Sequence, residues 1–411
     1  MKKFTKNKEK KTKDKTEGFI KFVKHNYLVA FLVFFGFIGI LTLLVTRAAT
    51  SVTSFEPEKS APNQMVIDNV SASGGKAIKF GSITGPGPSW WKPSANTRWQ
   101  WVLEGQVPTT QADLNRFEMW DIDLTDAIPS AMTQEIVYPG GEKCQTPDGK
   151  CVVNWPKGAN AAAFTALKAA GKKVVCYMDT GAFEDYEPDA KFFPGKWGGT
   201  PSNQAGGTRG NLAYVGPATW SSIDVLGSDS QDSAGGTFNG EYWLDLTESS
   251  WKYYAPIIWA RFEVAKKIGC DGIEGDQNNT YGNDKFFGAS EAKSLRWYRE
   301  VYYQTHLRGM SAISKNGVEL TSQQVTNPTN IPYCTPGMCI PDGILNEECH
   351  QYSECADLDP ATSKGLWVGQ VEYRGNSTAV CPDAKAKGRM AMKKPENYSV
   401  TQNILWACWE T

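Results

Sequence analysis

Histidine is nearly missing: the 411-residue chain holds three, His25, His306 and His350. That leaves no basis for a His-built metal centre or a Ser–His–Asp triad, and no metal is expected. No glycine-rich phosphate loop follows the first strand-like segment, which speaks against a nucleotide cofactor. The ten cysteines include no pair with the tight two-residue spacing of zinc sites. Net charge is also lacking, with 43 Lys and Arg against 44 Asp and Glu. A chain without positive excess has little to offer a phosphate backbone, so nucleic acid is not an expected partner. With these chemistries removed, carboxylates are the main reactive groups left, and no cofactor is implied.

Aromatic residues are plentiful instead, with 15 Trp, 16 Tyr and 18 Phe. Such rings build cores, and they also stack on the apolar faces of sugars. The near-zero charge hides an asymmetry. Residues 1–24 carry ten lysines against Glu9, Asp14 and Glu17, whereas residues 51–411 carry 32 basic against 41 acidic side chains. The outer part is thus mildly acidic and would suit a cationic ligand. The close pairs Cys144 with Cys151, Cys334 with Cys339, and Cys349 with Cys355 fit disulfides outside the cytoplasm. Cys176 and Cys270 fall in or beside strand-like runs and read as buried free thiols.

Taken in order, residues 1–26 form a basic head, and Tyr27 to Val45 follow as 19 residues without a charge. At 1.5 Å per residue this run spans a bilayer, and the lysines before it place the head in the cytoplasm. The run, with residues 27–46 as its domain, reads as an uncleaved single-pass anchor because it is longer than most signal cores; cleavage near Ala48-Ala49 is the alternative. Everything beyond is expected outside the cell. Residues 47–88 read as a linker. About 26 residues of it, around Ser71-Ala72-Ser73-Gly74-Gly75-Lys76-Ala77-Ile78, resemble the opening strands of jelly-roll carbohydrate-binding modules. That is too short for an eight-stranded sandwich, so a hairpin or relic is expected.

Residues 89–411 repeat strand, loop and helix. The strand candidates are 98–103, 118–124, 173–178, 242–246, 271–275, 310–314, 343–346 and 366–372. Helices are expected at 160–170, 254–268 and 290–307, with glycines at 171, 269 and 309 as stops. Eight strands alternating with helices predict a closed (β/α)8 TIM barrel of the α/β class, with an open doubly wound sheet as the competing topology. Residues 195–240 and 327–342 read as rim loops, the second pinned by Cys334 and Cys339. In a barrel, strand C-termini carry the chemistry. Here nearly every strand delivers a polar group to that rim, including Asp121, Asp123, Asp179, Asp245, Asp276, Asn316, Glu347 and Glu372. Two carboxylates flanking a glycosidic bond are the equipment of glycoside hydrolysis.

The ordered set Trp99-Gln100-Trp101, Asp121-Ile122-Asp123, Cys176-Tyr177 with Glu184, Trp243-Leu244-Asp245, Asp271-Gly272-Ile273-Glu274-Gly275-Asp276-Gln277, Lys315-Asn316, Asn346-Glu347-Glu348-Cys349 and Val371-Glu372-Tyr373 resembles glycoside hydrolase family 114, the endo-α-1,4-polygalactosaminidases. The resemblance runs over about residues 90–390. It implies a (β/α)8 barrel acting on extracellular galactosamine-containing polysaccharide. It also implies Asp276 as nucleophile and Glu347 as general acid/base with retention, Glu348 being the rival for the second role. Asp123, Tyr177, Asp179, Glu184, Asn316, Glu372 and Tyr373 would line sugar subsites. This sequence departs from the family pattern at Gly275, Gln277 and Asp179, where Pro, Asn and Ser are usual, so the polymer bound could differ. A monomer is expected. The alternative is a surface polysaccharide-binding protein that keeps the barrel without catalysis.

Overall fold

The computed structural model describes residues 65–68, 76–79, 89–195, 214–231, 237–281, 283 and 287–411. Two units are distinguished, residues 1–86 and 87–411. In the first, Met65–Asp68 and Lys76–Lys79 pair antiparallel, Met65 opposite Lys79. The basic head and the Tyr27–Val45 span lie outside the described residues. Among those described, no helix is long and apolar enough to cross a membrane.

The second unit is an α/β fold built on one curled sheet. Its parallel strands follow chain order: β1 (Trp99–Val102), β2 (Met119–Asp123), β3 (Lys173–Asp179), β4 (Gly272–Asp276), β5 (Ser311–Lys315), β6 (Gly343–Glu347), β7 (Trp367–Glu372) and β8 (Met390–Lys393). Trp406–Ala407 pairs antiparallel beyond β8. No ladder joins β8 to β1 among the described residues; side chains bridge that seam. The Trp99 indole N–H donates to the Met390 carbonyl at 2.9 Å. Buried Lys394 donates to the Trp101 and Thr401 carbonyls, both at 2.6 Å, and to the Gln100 Oε1 at 2.8 Å. Burial pushes this lysine down to about 7.

Seven of the eight strands coincide with sequence expectations, and one does not. The run at 242–246 is not a strand of the parallel sheet. It falls at the end of Thr237–Leu244, the centre of a separate antiparallel sheet flanked by Ala182–Glu184 and Leu226–Gln231. Its apolar alternation fits either kind of strand, since the side-chain period is the same. The missing parallel strand is β8, short and composed of Met, Ala and Lys. The expected rim loop 195–240 therefore contains sheet in its described part, while residues 196–213 and 232–236 lie outside the description.

Helices cover the outer face. Glu248–Ile268 starts six residues earlier than its apolar periodicity predicts and runs through Pro256 to a left-handed Gly269 cap. Its start is fixed by Asp245, which accepts from the Thr247 N–H at 3.0 Å and the Ser250 hydroxyl at 2.5 Å. Glu291–Leu307 is capped by Ser290, and Ala161–Ala169 lies within its predicted bounds.

Alternation along the strands separates two buried sets. Trp99, Trp101, Met119, Val175, Ile313, Leu345, Trp367, Val371, Met390 and Met392 form the cluster on the inner face. Val102, Trp120, Ile122, Val174, Cys176, Ile273 and Ala312 pack on the other, against the helices. The inner parity, continued to the strand ends, brings Asp123, Asp179, Asp276, Lys315, Glu347 and Tyr373 to one rim.

All ten cysteines are disulfide-bonded. The expected free thiols Cys176 and Cys270 are instead bonded to each other, 94 residues apart. Cys176 pairs with Ile273 across β3 and β4, and Cys270 lies just before that strand, so the ladder brings the two sulfurs together.

Candidate active site

Asp276 ends β4, Lys315 ends β5 and Glu347 ends β6. The Lys315 Nζ lies 2.6 Å from Asp276 Oδ2 and 2.9 Å from Glu347 Oε2. The two facing oxygens are therefore at most about 5.5 Å apart, the sum of the 2.6 Å and 2.9 Å legs. Side-chain exposure rises from 2% for Lys315 to 9% for Asp276 and 25% for Glu347. The ammonium thus forms the floor and the carboxylates open outward. The residue following each of these three, Gln277, Asn316 and Glu348, has positive φ (60°, 50° and 59°). Non-glycine residues adopt that conformation at a cost of ~1–3 kcal/mol each, and such strain clusters at functional sites.

Hydrogen bonds extend the centre on both sides. The Tyr177 hydroxyl donates to Asp179 Oδ1 at 2.9 Å and lies 3.4 Å from Asp276 Oδ2. The Gln277 backbone N–H donates to Asp276 Oδ1 at 2.6 Å. The Tyr373 hydroxyl donates to Glu347 Oε1 at 2.5 Å. The Asn316 amide N–H reaches Glu347 Oε2 at 3.5 Å, while its Oδ1 accepts the Glu347 backbone N–H at 3.1 Å. Burial alone would raise the Glu347 pKa. The Lys315 charge and the hydrogen bonds from Tyr373, Lys315 and Asn316 outweigh it and hold the carboxyl below its ordinary value. For Lys315, burial pulls downward, but Asp276, Glu347 and Glu274 hold it well above the ordinary lysine value.

The backbone under Asp276 is clamped. The N–H groups of Thr180 and Gly181 both donate to the Asp276 carbonyl at 3.1 Å. A side chain at Gly181 would stand 1.9 Å from the Gln277 carbonyl oxygen, so this contact demands glycine. Below Lys315, Glu274 accepts the Trp101 indole N–H at 3.1 Å and lies against Asp121. Burial pushes Asp121 up to about 7 and Glu274 well above its ordinary value. The two acids can hydrogen-bond each other once one of them carries a proton.

A second acidic group lines the rim beside β3. Glu184 and Glu241 stand directly opposite in the antiparallel sheet, a juxtaposition of like charges that is unfavourable without compensation. Tyr186 bridges them, its hydroxyl 2.9 Å from Glu184 and 3.3 Å from Glu241. Arg261 pairs with Glu184 at 2.9 Å and with Asp189 at 2.8 Å. Asp179, Glu184 and Glu241 each offer a carboxylate oxygen within 4.8 Å of the others, a set able to receive a cation. Burial and the charges of Glu184, Glu241 and Asp276 keep Asp179 well above its ordinary value, against the hydrogen bond from Tyr177.

Of the residues expected in subsites, Tyr177, Asp179, Asn316 and Tyr373 reach Asp276 or Glu347 directly or through one hydrogen bond. Glu184 lies on the acidic wall. Asp123 accepts the Asp126 backbone N–H at 3.0 Å, and its carboxyl is pushed up to about 7, chiefly by burial. Glu372 has the wrong parity: it is buried behind β7, accepting from the His350 N–H at 2.9 Å and the Gln370 amide at 2.8 Å, beside the Cys349–Cys355 bond. Glu348 also has the outer parity and is 2% exposed, so Glu347 is the acid that faces Asp276. Sequence reasoning missed Lys315, Glu241, Tyr186 and Arg261. For Lys315 the signal was its place at a strand end next to Asn316.

Paired carboxylates at the C-terminal rim of a curled parallel sheet define the glycoside-hydrolase class of site. The chain belongs to glycoside-hydrolase family GH114, whose family model matches residues 83–404. It is a glycoside hydrolase. The crystal structure of Aspergillus fumigatus Ega3 in complex with galactosamine is similar, with 22% identity, 77% of this chain and 98% of that chain covered, and a TM-score of 0.51. The glycoside hydrolase domain of a PelA variant from Pseudomonas aeruginosa matches at 11% identity over 75% of this chain and 97% of that one, with a TM-score of 0.43. No curated protein sequence matches the chain.

Proposed function

We propose that this chain is an extracellular, membrane-tethered enzyme that cleaves α-1,4-linked galactosamine-containing polysaccharide with retention. The observation that carries this reading is that the facing oxygens of Asp276 and Glu347 lie no more than about 5.5 Å apart, with Lys315 between them. Retaining enzymes hold their carboxyl groups about 5–5.5 Å apart, and inverting ones leave about 6.5–9.5 Å for a water. Asp276, clamped by Thr180, Gly181 and Gln277, attacks the anomeric carbon. Glu347, the more exposed acid, protonates the leaving oxygen and later draws a proton from water.

The curled eight-stranded sheet is read as a (β/α)8 barrel whose seam is sealed by side chains. The wall of Asp179, Glu184 and Glu241 supports a polymer bearing free ammonium groups, because three carboxylates converge there against the single guanidinium of Arg261. The galactosamine in the Aspergillus structure points the same way. Tethering through Tyr27–Val45, an N-terminus in the cytoplasm, and a monomeric state complete the proposal. A reducing-end assay on galactosaminan tests it. Wild type should release new ends, and Asp276→Asn should lose about 10⁴-fold of that rate, as loss of a nucleophile does. Equal release by both proteins would defeat the assignment.

A further inference from the structure

The double displacement just proposed leaves one question of charge. In the first step an Asp276 oxygen bonds to the anomeric carbon while the bond from that carbon to the leaving oxygen breaks. The Glu347 proton goes to the leaving oxygen. A negative charge thus disappears from Asp276, now an ester, and appears on Glu347. In the second step Glu347 takes a proton from water, the water oxygen bonds to the anomeric carbon, and the ester bond breaks. The charge returns to Asp276. The site must stabilise one negative charge at two positions in turn.

Resting on that reading, we propose that Lys315 is the fixed counter-ion for this moving charge, a positioning residue that serves both steps without itself moving. Four observations carry the inference. Its Nζ is in ion-pair distance of both acids at once, 2.6 Å and 2.9 Å. Its side chain is 2% exposed, so no solvent competes for the ammonium. It is fixed from several directions: the Trp101 ring lies 4.8 Å away and the Tyr298 hydroxyl donates to the Lys315 carbonyl at 2.9 Å. Left-handed backbone at Gln277, Asn316 and Glu348 turns the chain immediately after all three charged residues. A cation already in place needs no reorganisation when charge shifts, which is the economy of preorganised electrostatic catalysis.

Other groups near the pair do not serve this purpose. From β4, Glu274 lies 3.9 Å from the ammonium, and from β2 Asp121 adds a carboxyl beside Glu274. From β3, Tyr177 links Asp179 to Asp276. Beyond β7, Tyr373 donates to Glu347, and on the glutamate's own strand end Glu348 stands next in sequence. All of these are acids or phenols; among the described residues, Lys315 is the cation that meets both catalytic carboxylates.

The test compares wild type, Lys315→Met and Lys315→Arg on soluble galactosamine oligomers across pH. Lys315→Met should lower kcat about 10²-fold or more with KM within about threefold, the pattern of lost transition-state stabilisation. Without its cation, Glu347 keeps its proton to higher pH. The basic limb of kcat/KM should then move up by about one unit or more. Lys315→Arg should return the limb toward its wild-type position. A uniform fall with an unmoved limb, or a rise in KM alone, would overturn the proposal in favour of a structural or binding role. Should Lys315→Met fail to fold, Lys315→Gln keeps a donor between the acids without the charge and carries the same prediction. A direct reading is independent of turnover: the carbon-13 carboxyl titration of Glu347 in free enzyme should shift upward in the uncharged variants. No shift there overturns the inference even if the wild type proves inactive on galactosaminan, whereas a shift in an inactive protein would fault the substrate reading alone.

Discussion

The two ends of β6 each hold an acid, one buried and one half-buried, and they are built on opposite principles. At its start, Asp342 accepts from the Trp90 indole N–H at 2.7 Å, the His306 imidazole at 2.9 Å, the Ala312 N–H at 3.2 Å and the Ser311 hydroxyl at 3.3 Å. Its other oxygen meets Lys92 at 2.8 Å. Trp90 stacks on His306 with ring centres 4.2 Å apart, closing the group off. At its finish, Glu347 shares one ammonium with another carboxylate, faces solvent for a quarter of its surface, and is followed by a left-handed residue. One end is a single acid saturated with donors. The other brings two acids together with one cation between them and leaves the remaining demand to whatever enters the cleft. Saturation marks a joint of the fold, and a deliberate shortfall marks a site.

Breaking the saturated end should cost stability and spare chemistry. Asp342→Ala is expected to lose about 3–5 kcal/mol of unfolding free energy, because it strands buried polar partners. In the fraction that folds, kcat should stay within about twofold, as mutations remote from reacting atoms leave transition-state contacts intact. Urea unfolding and kinetics on the same preparation check both halves. A fall in kcat without a fall in stability would erase the contrast.

Acid should sharpen the same contrast. Burial alone would raise Asp342, but the His306 hydrogen bond and charge, together with Lys92, hold it below the ordinary aspartate value of 3.8. A folded value below the unfolded one contributes stability that is full above about pH 4 and lost as pH falls through the lowered folded value. Wild type should therefore lose stability below pH 4 more steeply than Asp342→Asn, which lacks this linkage. Parallel curves would contradict it.

The smallest effect belongs to the acidic wall. Glu241→Gln, at the partly exposed member of the wall, should raise KM for a cationic polymer roughly 3–10-fold at low ionic strength, and the difference should shrink in high salt. An equal effect on a fully N-acetylated polymer would mean that Glu241 acts through packing.

Much of this arrangement was legible in the sequence. The acids at strand ends pointed to a polar rim, and the resemblance to family 114 singled out Asp276 and Glu347 before any coordinates. The parity rule, applied from Val371, would also have turned Glu372 away from the cleft. Three features were hidden for physical reasons. Tyr242–Leu246 reads as a strand in either sheet, because periodicity reports burial of faces and not the direction of the partner. Cys176 and Cys270 are 94 residues apart, and only the pairing of β3 with β4 brings them together. Lys315 was placed at a strand end, but nothing local reveals that two acids from neighbouring strands will enclose it.

The central claim is that Asp276 forms a covalent bond to the sugar while Glu347, across Lys315, handles the proton. The most direct measurement uses a Glu347→Ala variant with a galactosaminyl fluoride, whose leaving group needs no acid. The account predicts an intermediate that accumulates, seen by mass spectrometry as one galactosaminyl residue on the peptide containing Asp276. No adduct, or an adduct on another residue, would contradict it.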